Sequence, residues 1–582
     1  MAIFWNFNCH KQTCLVRSPT LHGKMKTGIM MFDWKLLMHV GTPLTTVVRL
    51  LRNRTERSIR CYVTNRPCPQ GAPSGLKFQI TRLARLGKTC LWLSRENTRT
   101  FAARKATIAI TALTVVLFVE ANAWSQPIDI GSRRELFVDR LLIDAMTGAE
   151  LRLHHPVKAP RPKSPLPEKY YFTVIKDHDD NGDLYRAYWR ETDPGYPGPF
   201  HTGHAGEMVC YAESRDGQEW TFPKLGLHEV SGTRENNVIL AKQPPFMTNF
   251  TPFIDTCPGA KSDVRYKALA GYPGPGDKRG KSEPGMGLFA FVSVDGIHWT
   301  KTNEVIPYQP EWRHAFDSQN VSFWSEAEQQ YVCCFRTWTP DKRLRSISRT
   351  TSRDFEQWTT PVAMNPNLPG EHLYTNQTHP YFRAPHIYIA LPTRFVPDRG
   401  DAPSYDQKDV NATDILLMST RAGSTKYDRE FTEAFIRPGL DPERWKNRSN
   451  YVALNVISTS PTEMSIYHCS GDRYVLRTDG FVSVHTGSAE GELITKPLTF
   501  TGSELHLNFS TSAAGVIHVE IQKSDGTPIP GFSAADCLPI YGDKIDRIVR
   551  WRSQSDLTSL AGQSVRLRFV MKECDLYAFC FQ

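Results

Sequence analysis

The sequence predicts an all-β protein, a five-bladed β-propeller over residues 124–489 followed by an antiparallel β-sandwich over residues 490–582. Helical periodicity is scarce after Trp124, and short runs rich in β-branched and aromatic residues dominate. A unit made of paired strands and a Ser-x-Asp turn recurs along the first range. In the second range, apolar and polar residues alternate, as in a sheet with one solvated face.

The recurring unit ends in a turn that carries Ser, Asp and then Trp. The explicit copies are Ser214–Trp220, Ser293–Trp299 and Ser352–Trp358. A pair of predicted strands precedes the turn: Val321–Trp324 with Tyr331–Arg336 parallels Phe172–Ile175 with Tyr185–Arg190. Five units of roughly 50–80 residues, each a small antiparallel sheet, predict the blades of a propeller. Two β-sandwiches with coincidental turns are the alternative.

The last unit and the tail complete the predicted architecture. In the last unit, Ser465–Tyr467 and Tyr474–Arg477 are aligned with the strand pairs of the earlier units. The tail then contributes alternating segments that predict the sandwich. These segments are Leu505–Phe509, Val516–Ile521, Ile548–Trp551, Val565–Phe569 and Tyr577–Phe581.

Charge is distributed unevenly along the chain. Residues 1–105 hold 19 Lys and Arg against 3 Asp and Glu, whereas the remaining residues hold 51 against 57. The predicted folded body is therefore mildly acidic, which removes the electrostatic basis for general nucleic-acid binding. We assign no fold to the basic stretch 1–105. It is either upstream sequence included by placing the start codon too early or a genuine basic N-terminal region.

The charge break coincides with an export signal. Arg104-Lys105 precede the apolar run Ile108–Val119, and Ala121-Asn122-Ala123 follows it. A basic region, a short apolar core and a small-x-small cleavage site predict a signal peptide over 106–123. The apolar run is shorter than the roughly 20 residues of a spanning helix. We expect a periplasmic or extracellular protein without a stable membrane span after cleavage; a buried or anchoring helix is the alternative.

The sequence predicts no cofactor and no metal site. It lacks a P-loop, a dinucleotide-binding glycine pattern and a Gly-x-Ser-x-Gly elbow. The run Asp177–Gly182 matches the front of a calcium loop, but Tyr188 stands at the twelfth position where a bidentate Glu is required. A hairpin turn is therefore predicted there. The eight cysteines after Trp124 show no disulfide framework and are expected to be free, buried thiols.

A propeller followed by a sandwich resembles the invertase, levanase and arabinanase-type glycosidases. The segment His314–Trp324, with Asp317 inside it, lies where an Arg-Asp-Pro motif of the invertase type would be expected. Phe316 and Ser318 replace the Arg and the Pro, and the other signature motifs of that family are absent. The resemblance implies three carboxylates at the starts of the innermost strands, around the top of a central channel.

Alignment of the repeats yields candidate catalytic acids. Asp317, Glu168 and Asn376 fall at equivalent positions before a strand, and Asp255 and Glu463 are the acids that the second and last units offer. Strands that converge on one axis would bring the four carboxylates into a single cleft. Glycoside hydrolysis needs two carboxyls, one protonated and one ionised. Asp317 is predicted as base or stabiliser and Glu463 as general acid, with Glu168 as the rival; turn capping or pairing with arginine is the alternative.

Candidate substrate-binding residues recur near the same positions. The ends of the second strands carry Arg190, Arg336 and Arg394, whose guanidinium groups could neutralise the acids or bind uronate or sulfate oxygens. Structural bracing between blades explains their recurrence equally well. A sugar subsite could also use side chains with ring faces or amide groups. These side chains are Trp338, Tyr374, His379 and Asn376, for which packing in the core or at the rim is the alternative.

The sequence therefore predicts an exported carbohydrate-active protein, a glycoside hydrolase that acts on an oligo- or polysaccharide. A non-catalytic propeller that binds a glycan or another protein is the first alternative. A sialidase-like hydrolase is the second, because Ser-x-Asp-Gly-x-x-Trp resembles the Asp-box of those enzymes. The spacing is one residue short of that box, and five units are counted rather than six.

Overall fold

The structure is a computed structural model. It describes residues 126–260, 264–271, 287–309, 312, 315–341, 343–397, 399 and 411–582. Of the earlier part of the chain it describes the backbone of four strands. The chain divides into two compact units, Met1–Trp124 and Ser125–Gln582. In the first unit, the four strands pair antiparallel in chain order. They are β1 (Leu36–His39), β2 (Thr45–Arg52), β3 (Ile59–Arg66) and β4 (Leu76–Ile80). The predicted signal peptide, 106–123, lies outside the described residues.

The second unit is all-β, as the sequence predicts. Its described helical segments are two short 3-10 turns, Pro442–Trp445 and Thr558–Leu560. No helix in the described part of the chain is long and apolar enough to cross a membrane. The unit begins with β5 (Ile128–Gly131), β6 (Glu135–Leu136), β7 (Ile143–Thr147), β8 (Glu150–Leu153) and β9 (Val157–Lys158).

Three antiparallel sheets of four strands follow, each with its strands in chain order. The first sheet holds β10 (Thr173–Asp179), β11 (Gly182–Thr192), β12 (Glu207–Ser214) and β13 (Val238–Ala241). The second holds β14 (Thr251–Ile254), β15 (Tyr266–Ala270), β16 (Leu288–Ser293) and β17 (Thr300–Ile306). The third holds β18 (Val321–Ser325), β19 (Gln330–Trp338), β20 (Arg345–Ser352) and β21 (Val362–Ala363).

The next part of the chain is split between two small sheets and one that joins distant segments. One small sheet is β22 (His372–Leu373), β25 (Thr393–Val396) and β26 (Ala412–Ile415). The other is β23 (His379–Tyr381), β24 (Ala384–Ala390) and β27 (Met418–Arg421). The following sheet takes β28 (Ile457–Ser460), β29 (Glu463–Tyr467) and β30 (Arg473–Arg477), and β9 is its fourth strand. Because β9 precedes β10 in the chain, this sheet pairs a strand from before the first sheet of the series with strands from its last sheet.

A ten-stranded sheet contains the C-terminus. Its later strands are β31 (Val482–Thr486), β32 (Gly491–Thr495), β33 (Leu498–Phe500), β34 (Leu505–Lys523), β35 (Asp543–Ile548) and β36 (Val565–Phe581). Strands β5–β8 also pair into this sheet, where they satisfy backbone groups of β31, β32, β33 and β36. The sheet therefore includes strands outside the predicted range 490–582.

Two pairs of predicted tail strands are continuous in the structure. Leu505–Phe509 and Val516–Ile521 both belong to β34, and Val565–Phe569 and Tyr577–Phe581 both belong to β36. The register between the two long strands shifts between Thr511 and Val516. An irregularity of this kind bends a strand without ending it, which is why the sequence pattern looked interrupted.

The repeated turn is confirmed in all three explicit copies. The hydroxyl of Ser214 accepts a hydrogen bond from the backbone N–H of Gly217 at 2.9 Å, and Ser293 and Ser352 accept from Gly296 and Phe355 at the same distance. The Asp of each copy accepts two further backbone N–H groups. Local hydrogen bonds within one turn therefore explain why these residues repeat. The predicted hairpin at Asp177–Gly182 is also present, between β10 and β11.

Apolar layers lie between successive sheets. One buried cluster joins the first sheet to the sheet of β28–β30, with Tyr185 and Tyr467 among its members. Further clusters join the first sheet to the second, the second to the third, and the third to the following pair of small sheets. The largest cluster joins the C-terminal sheet to its neighbours. The eight described cysteines are free, and seven are buried in or near these layers, as predicted.

Four amide side chains hold the N-terminal ends of five strands together. Each precedes its strand by two residues and donates to a backbone carbonyl that lies in, or up to five residues before, the first strand of another sheet, at 2.8 to 3.1 Å. The pairs are Asn249 to Phe316, Gln319 to Phe172, Gln377 to Val452, and Asn455 to Val174. Strands β10, β14, β18, β23 and β28 therefore begin at a common edge, which we call the N-terminal edge.

Candidate functional site

Asp317 and Arg336 form the centre of the candidate site on the N-terminal edge. Asp317 lies before β18, whereas Arg336 lies near the end of the antiparallel β19, so both side chains reach the same edge. The Arg336 guanidinium, 2% exposed, contacts the Asp317 carboxylate, 31% exposed. Burial lowers the pKa of Arg336, but the charge and hydrogen bond of Asp317, together with Tyr374 and Tyr171, outweigh burial and the net shift is upward. Arg336 is thus held charged beneath a carboxylate that solvent reaches.

Tyr374 packs against this pair. The Arg336 guanidinium carbon lies 4.9 Å from the centre of the Tyr374 ring, and Arg448 donates to the Tyr374 hydroxyl at 3.2 Å. Burial raises the pKa of Tyr374, but the two arginines outweigh burial and the Asp317 charge, so the pKa lies below its usual value.

A second arginine, Arg345, is surrounded by aromatic rings. Its guanidinium carbon lies 5.0 Å from the ring of Trp338, 5.3 Å from that of Tyr374 and 4.9 Å from that of Phe395. Such distances are typical of cation–π contacts. Burial and then the nearby Arg336 charge lower the pKa of Arg345. This guanidinium adds positive charge to the site. Among the described residues, no carboxylate lies within ion-pair distance of it.

Arg190 extends the site to the first sheet. Its guanidinium carbon lies 4.8 Å from the ring of Tyr171, and its Nη1 lies 3.6 Å from the Glu207 carboxylate. Glu207 itself is buried and accepts hydrogen bonds from Thr248 and from the Gly203 N–H. Tyr171 has a φ of 60°, a left-handed conformation that is strained for an aromatic residue and is enriched at functional sites.

These contacts connect into one group of side chains, which we call the arginine–tyrosine cluster. Tyr451 completes it: its ring centre lies 5.9 Å from that of Tyr171 and 5.7 Å from that of Tyr374. The cluster consists of Asp317, Arg190, Arg336, Arg345, Arg448, Tyr171, Tyr374 and Tyr451. It combines charged groups that can orient a sugar with the partly exposed ring of Tyr171, whereas Tyr374 and Tyr451 are buried and support the others from below.

The four predicted acids do not share one cleft. Glu168 lies on the N-terminal edge with Asp317, where it is 69% exposed and 3.3 Å from Arg444. Asp255 and Glu463 lie at the opposite edge, because Asp255 follows β14 and Glu463 follows the hairpin after β28. The alignment of the last unit was wrong by one strand, since Ser465–Tyr467 belongs to β29 and the first strand is β28. A shift by one antiparallel strand moves a residue to the other edge.

Both acids at the opposite edge are paired with cations. Asp255, whose side chain is 0% exposed, lies 2.7 Å from the Lys267 ammonium and accepts from the Tyr331 hydroxyl at 2.9 Å. Glu463, 36% exposed, accepts from Arg473 at 2.7 Å. These contacts correspond to the structural alternative in which the acids brace neighbouring strands.

Of the predicted substrate-binding residues, Arg190 and Arg336 belong to the cluster and Trp338 lies against its Arg345. Arg394 lies elsewhere, in a bidentate pair with Asp414 at 2.9 and 2.5 Å. It lines a separate cavity of about 410 Å³, together with Trp445.

Asn376 and His379 are buried and engaged within the protein. Asn376 donates to the Cys334 carbonyl at 3.3 Å and accepts from the Thr378 N–H at 3.0 Å. His379 accepts from the Val456 N–H at 3.0 Å, and its other nitrogen donates to the Gln377 carbonyl at 2.9 Å. Burial lowers the pKa of His379 to about 4. Neither side chain is free to contact a sugar.

Sequence reasoning missed Arg345, Arg448 and the four amides. The amides had a visible signal, because Asn or Gln stands two residues before the first strand in four of the five series. Arg345 starts β20 and pairs with Trp338, a cross-strand relation that follows once β19 and β20 are aligned. Arg448 lies in a loop and had no signal. Within the described ranges, no group of three or more His, Cys, Asp or Glu could hold a metal ion.

Comparison with protein-family models and with curated proteins gives no match. Among solved structures, the chain is similar to an N-acetylgalactosamine deacetylase from F. plautii in complex with blood group B trisaccharide. The identity is 11% and the TM-score 0.34, over 73% of this chain and 95% of that chain. It is also similar to an alpha-L-arabinanase from Penicillium chrysogenum complexed with arabinobiose, at 10% identity and a TM-score of 0.29, over 56% and 98%.

A third solved structure that the chain resembles is a GH32 beta-fructofuranosidase from Bombyx mori. The identity is 10% and the TM-score 0.32, over 74% of this chain and 94% of that chain. The arabinanase is of a type that the sequence-based resemblance names. Likenesses at this identity and TM-score carry no argument about activity, since function depends on the site.

Proposed function

We propose that residues 125–582 form a five-bladed β-propeller, with the sheet that contains the C-terminus as an accompanying β-sandwich. The series of sheets from β10 to β30 supports five blades, with the two small sheets between Glu371 and Arg421 counted as one. Apolar layers between successive sheets, including one between the last and the first, support a closed arrangement. Pairing of β9 with β30 is the kind of contact that closes such a ring.

We propose that the protein is an exported, carbohydrate-active protein whose oligo- or polysaccharide ligand binds at the arginine–tyrosine cluster. The observation that carries the proposal is a carboxylate on a buried guanidinium, Asp317 on Arg336, beside the rings of Tyr171 and Tyr374. Ring faces and a few fixed polar groups are what sugar recognition requires. Export rests on the signal pattern at Arg104–Ala123.

Glycoside hydrolysis is the activity proposed for this site. Asp317 acts as base or stabiliser, and Glu168 acts as general acid, because it is the other predicted acid on the N-terminal edge. Its exposure allows it to move toward a bound substrate. Arg336 holds the Asp317 carboxylate on the N-terminal edge, where solvent reaches it, which is the placement that a base or stabiliser requires.

Non-catalytic glycan binding is the second candidate. The observation that favours it is the pairing of each of these acids with an arginine, Asp317 with Arg336 and Glu168 with Arg444. A carboxylate held by an arginine can brace neighbouring segments of the fold without transferring a proton to a ligand. The sialidase-like alternative stays a prediction; the turns that suggested it lie at the other edge, where Tyr467 donates to the Gly217 carbonyl.

The test is binding and hydrolysis by the purified chain on a panel of neutral and anionic polysaccharides. Asp317→Asn keeps an oxygen that accepts from Arg336, so the fold is retained. If the protein is a hydrolase, this variant loses turnover and keeps binding; if it is a binder, neither protein releases sugar. Glu463→Gln, the matched change at the opposite edge, leaves both readouts unchanged. Absence of binding and cleavage across the panel overturns the proposal.

Export is tested separately. The chain is expressed in a secreting bacterial host, and the N-terminus of the exported product is sequenced. Cleavage after Ala123, with Trp124 as the first residue, is the expected result. Retention of the full chain in the cytoplasm overturns this part of the proposal.

A further inference from the structure

We infer that the ligand of the arginine–tyrosine cluster is an anionic glycan, one that carries carboxylate or sulfate groups. This inference rests on the proposed function, since it names the class of ligand for the same site. Three features of the cluster support it: its net charge, the exposure of its arginines to solvent, and the geometry of their guanidinium groups.

The cluster holds more positive than negative charge. It contains four arginines, Arg190, Arg336, Arg345 and Arg448, but the carboxylates within ion-pair distance of them among the described residues are Asp317 and Glu207. Two adjacent groups leave the cluster with a positive excess. Lys169 with Glu191 is neutral, and Arg444, which pairs with both Glu168 and Asp441, leaves one negative charge against the two excess positive charges of the cluster.

The excess charge is accessible at two positions. Arg448 is exposed and donates only to the Tyr374 hydroxyl among the described side chains, which leaves most of its N–H groups for a ligand. Arg190 is partly exposed, and its one carboxylate neighbour lies at 3.6 Å, beyond the reach of a good hydrogen bond. These two arginines stand at the ends of a chain of contacts that runs through Tyr171, Tyr451 and Tyr374.

Arg336 and Arg345 act from behind this surface. Arg336 is buried against Asp317, and Arg345 is enclosed by the rings of Trp338, Tyr374 and Phe395. Arg336, 2% exposed, does not present its guanidinium to a ligand, and Arg345 is only partly exposed. Fixed charges at such positions raise the positive potential of the surface above them. Carboxylate and sulfate oxygens match the planar fork of a guanidinium, so an acidic sugar would bind Arg448 or Arg190 through paired hydrogen bonds. Tyr171, the partly exposed tyrosine of the cluster, offers a ring face beside Arg190.

The experiment compares charged and neutral members of two ligand pairs by calorimetry with the purified chain. Oligogalacturonate is compared with its methyl ester, and dextran sulfate with dextran. We expect each charged member to bind at least about tenfold more tightly than its neutral partner, as one charge-assisted hydrogen bond requires. The preference decreases as ionic strength rises, because salt screens exposed charges. If one ligand pair shows the preference and the other does not, the pair that shows it identifies the anion as carboxylate or as sulfate.

Arg448→Gln tests the position of the anion. It weakens binding of the charged ligand by about tenfold and so reduces the preference for the charged over the neutral member of each pair. Arg215→Gln is the matched control, since Arg215 is exposed and pairs with Asp179 away from the cluster. Equal binding of charged and neutral ligands, or an Arg448→Gln variant with unchanged affinity for the charged ligand, overturns this inference and leaves the proposed function standing. Absence of binding by any glycan overturns the proposed function itself.

Discussion

The Arg336 guanidinium contacts the Asp317 carboxylate although 19 positions separate the two residues in the chain. The contact forms because β18 and β19 are antiparallel, so that the residue before one strand meets a residue near the end of the next. One member of the pair is buried and the other is partly exposed. The pair therefore has two roles: it neutralises a buried charge, and it places a carboxylate at the surface of the proposed site.

Replacement of Asp317 by Ala leaves the buried Arg336 without its carboxylate. We expect the free energy of unfolding to fall by about 2 kcal/mol, less than for a fully buried pair because Asp317 is partly exposed. Urea denaturation measures the change. Asp341→Ala removes an exposed carboxylate and serves as the control, with a smaller expected change. Equal stabilities of the two variants would show that the pair does not stabilise the fold.

Asp255 is predicted to be structural. Asp255→Asn removes the charge that faces the buried Lys267, and we expect a loss of about 3 kcal/mol in the free energy of unfolding. Glycan binding to the folded variant is expected to be unchanged, because Asp255 lies at the edge opposite the cluster. Denaturation and calorimetry on the same preparation provide both values. Loss of binding without loss of stability would place Asp255 in the site after all.

The amide contacts make a further prediction. Gln377 is buried and donates to both the Val452 carbonyl and the Gln319 side chain, at 2.8 and 2.7 Å. Gln377→Ala leaves these acceptors unpaired, and we expect a loss of about 2 kcal/mol. Gln357→Ala, at an exposed glutamine of a repeated turn, is the matched control and should be neutral. A destabilisation no greater than that of the control would show that the amide contacts do not stabilise the fold.

Two buried histidines predict a loss of stability in acid. Burial lowers the pKa of His379 to about 4 and that of His468 to about 3, whereas an unfolded histidine titrates near 6.5. The unfolded chain therefore binds more protons than the folded chain between those values, and stability falls as the pH decreases through that window. Each histidine contributes a loss of about 2 kcal/mol between pH 7 and pH 5.

Urea denaturation at pH 7 and pH 5 measures this dependence. His379→Gln retains a donor and an acceptor in a similar position. It should remove about half of the stability loss that the two histidines together cause between pH 7 and pH 5. His201→Gln, at an exposed histidine whose ring contacts the Thr202 carbonyl rather than a carboxylate, is the control for the substitution itself. An unaltered slope in His379→Gln would contradict the assignment of a buried, neutral imidazole at this position.

Local features of the fold followed from the sequence. The Ser-x-Asp turns were recognised because their hydrogen bonds join residues two or three positions apart, so the spacing carries the structure. The strand pairs β10–β11 and β18–β19 were recognised because their patterns repeat. The assignment of the last unit failed because β28 has a weak pattern, and the next two strands were taken for the first two.

By itself, the sequence determined the all-β class, the repeated turns and the presence of Asp317, Arg190 and Arg336 near one edge of their sheets. Only the tertiary structure decided which acids share that edge, and which residues surround them. Asp255 and Glu463 are separated from Asp317 by the direction of single strands, which a period of two residues does not encode. Arg448 reaches Tyr374 across 74 positions of chain. Contacts of that kind depend on how whole sheets pack, and no local pattern of residues records them.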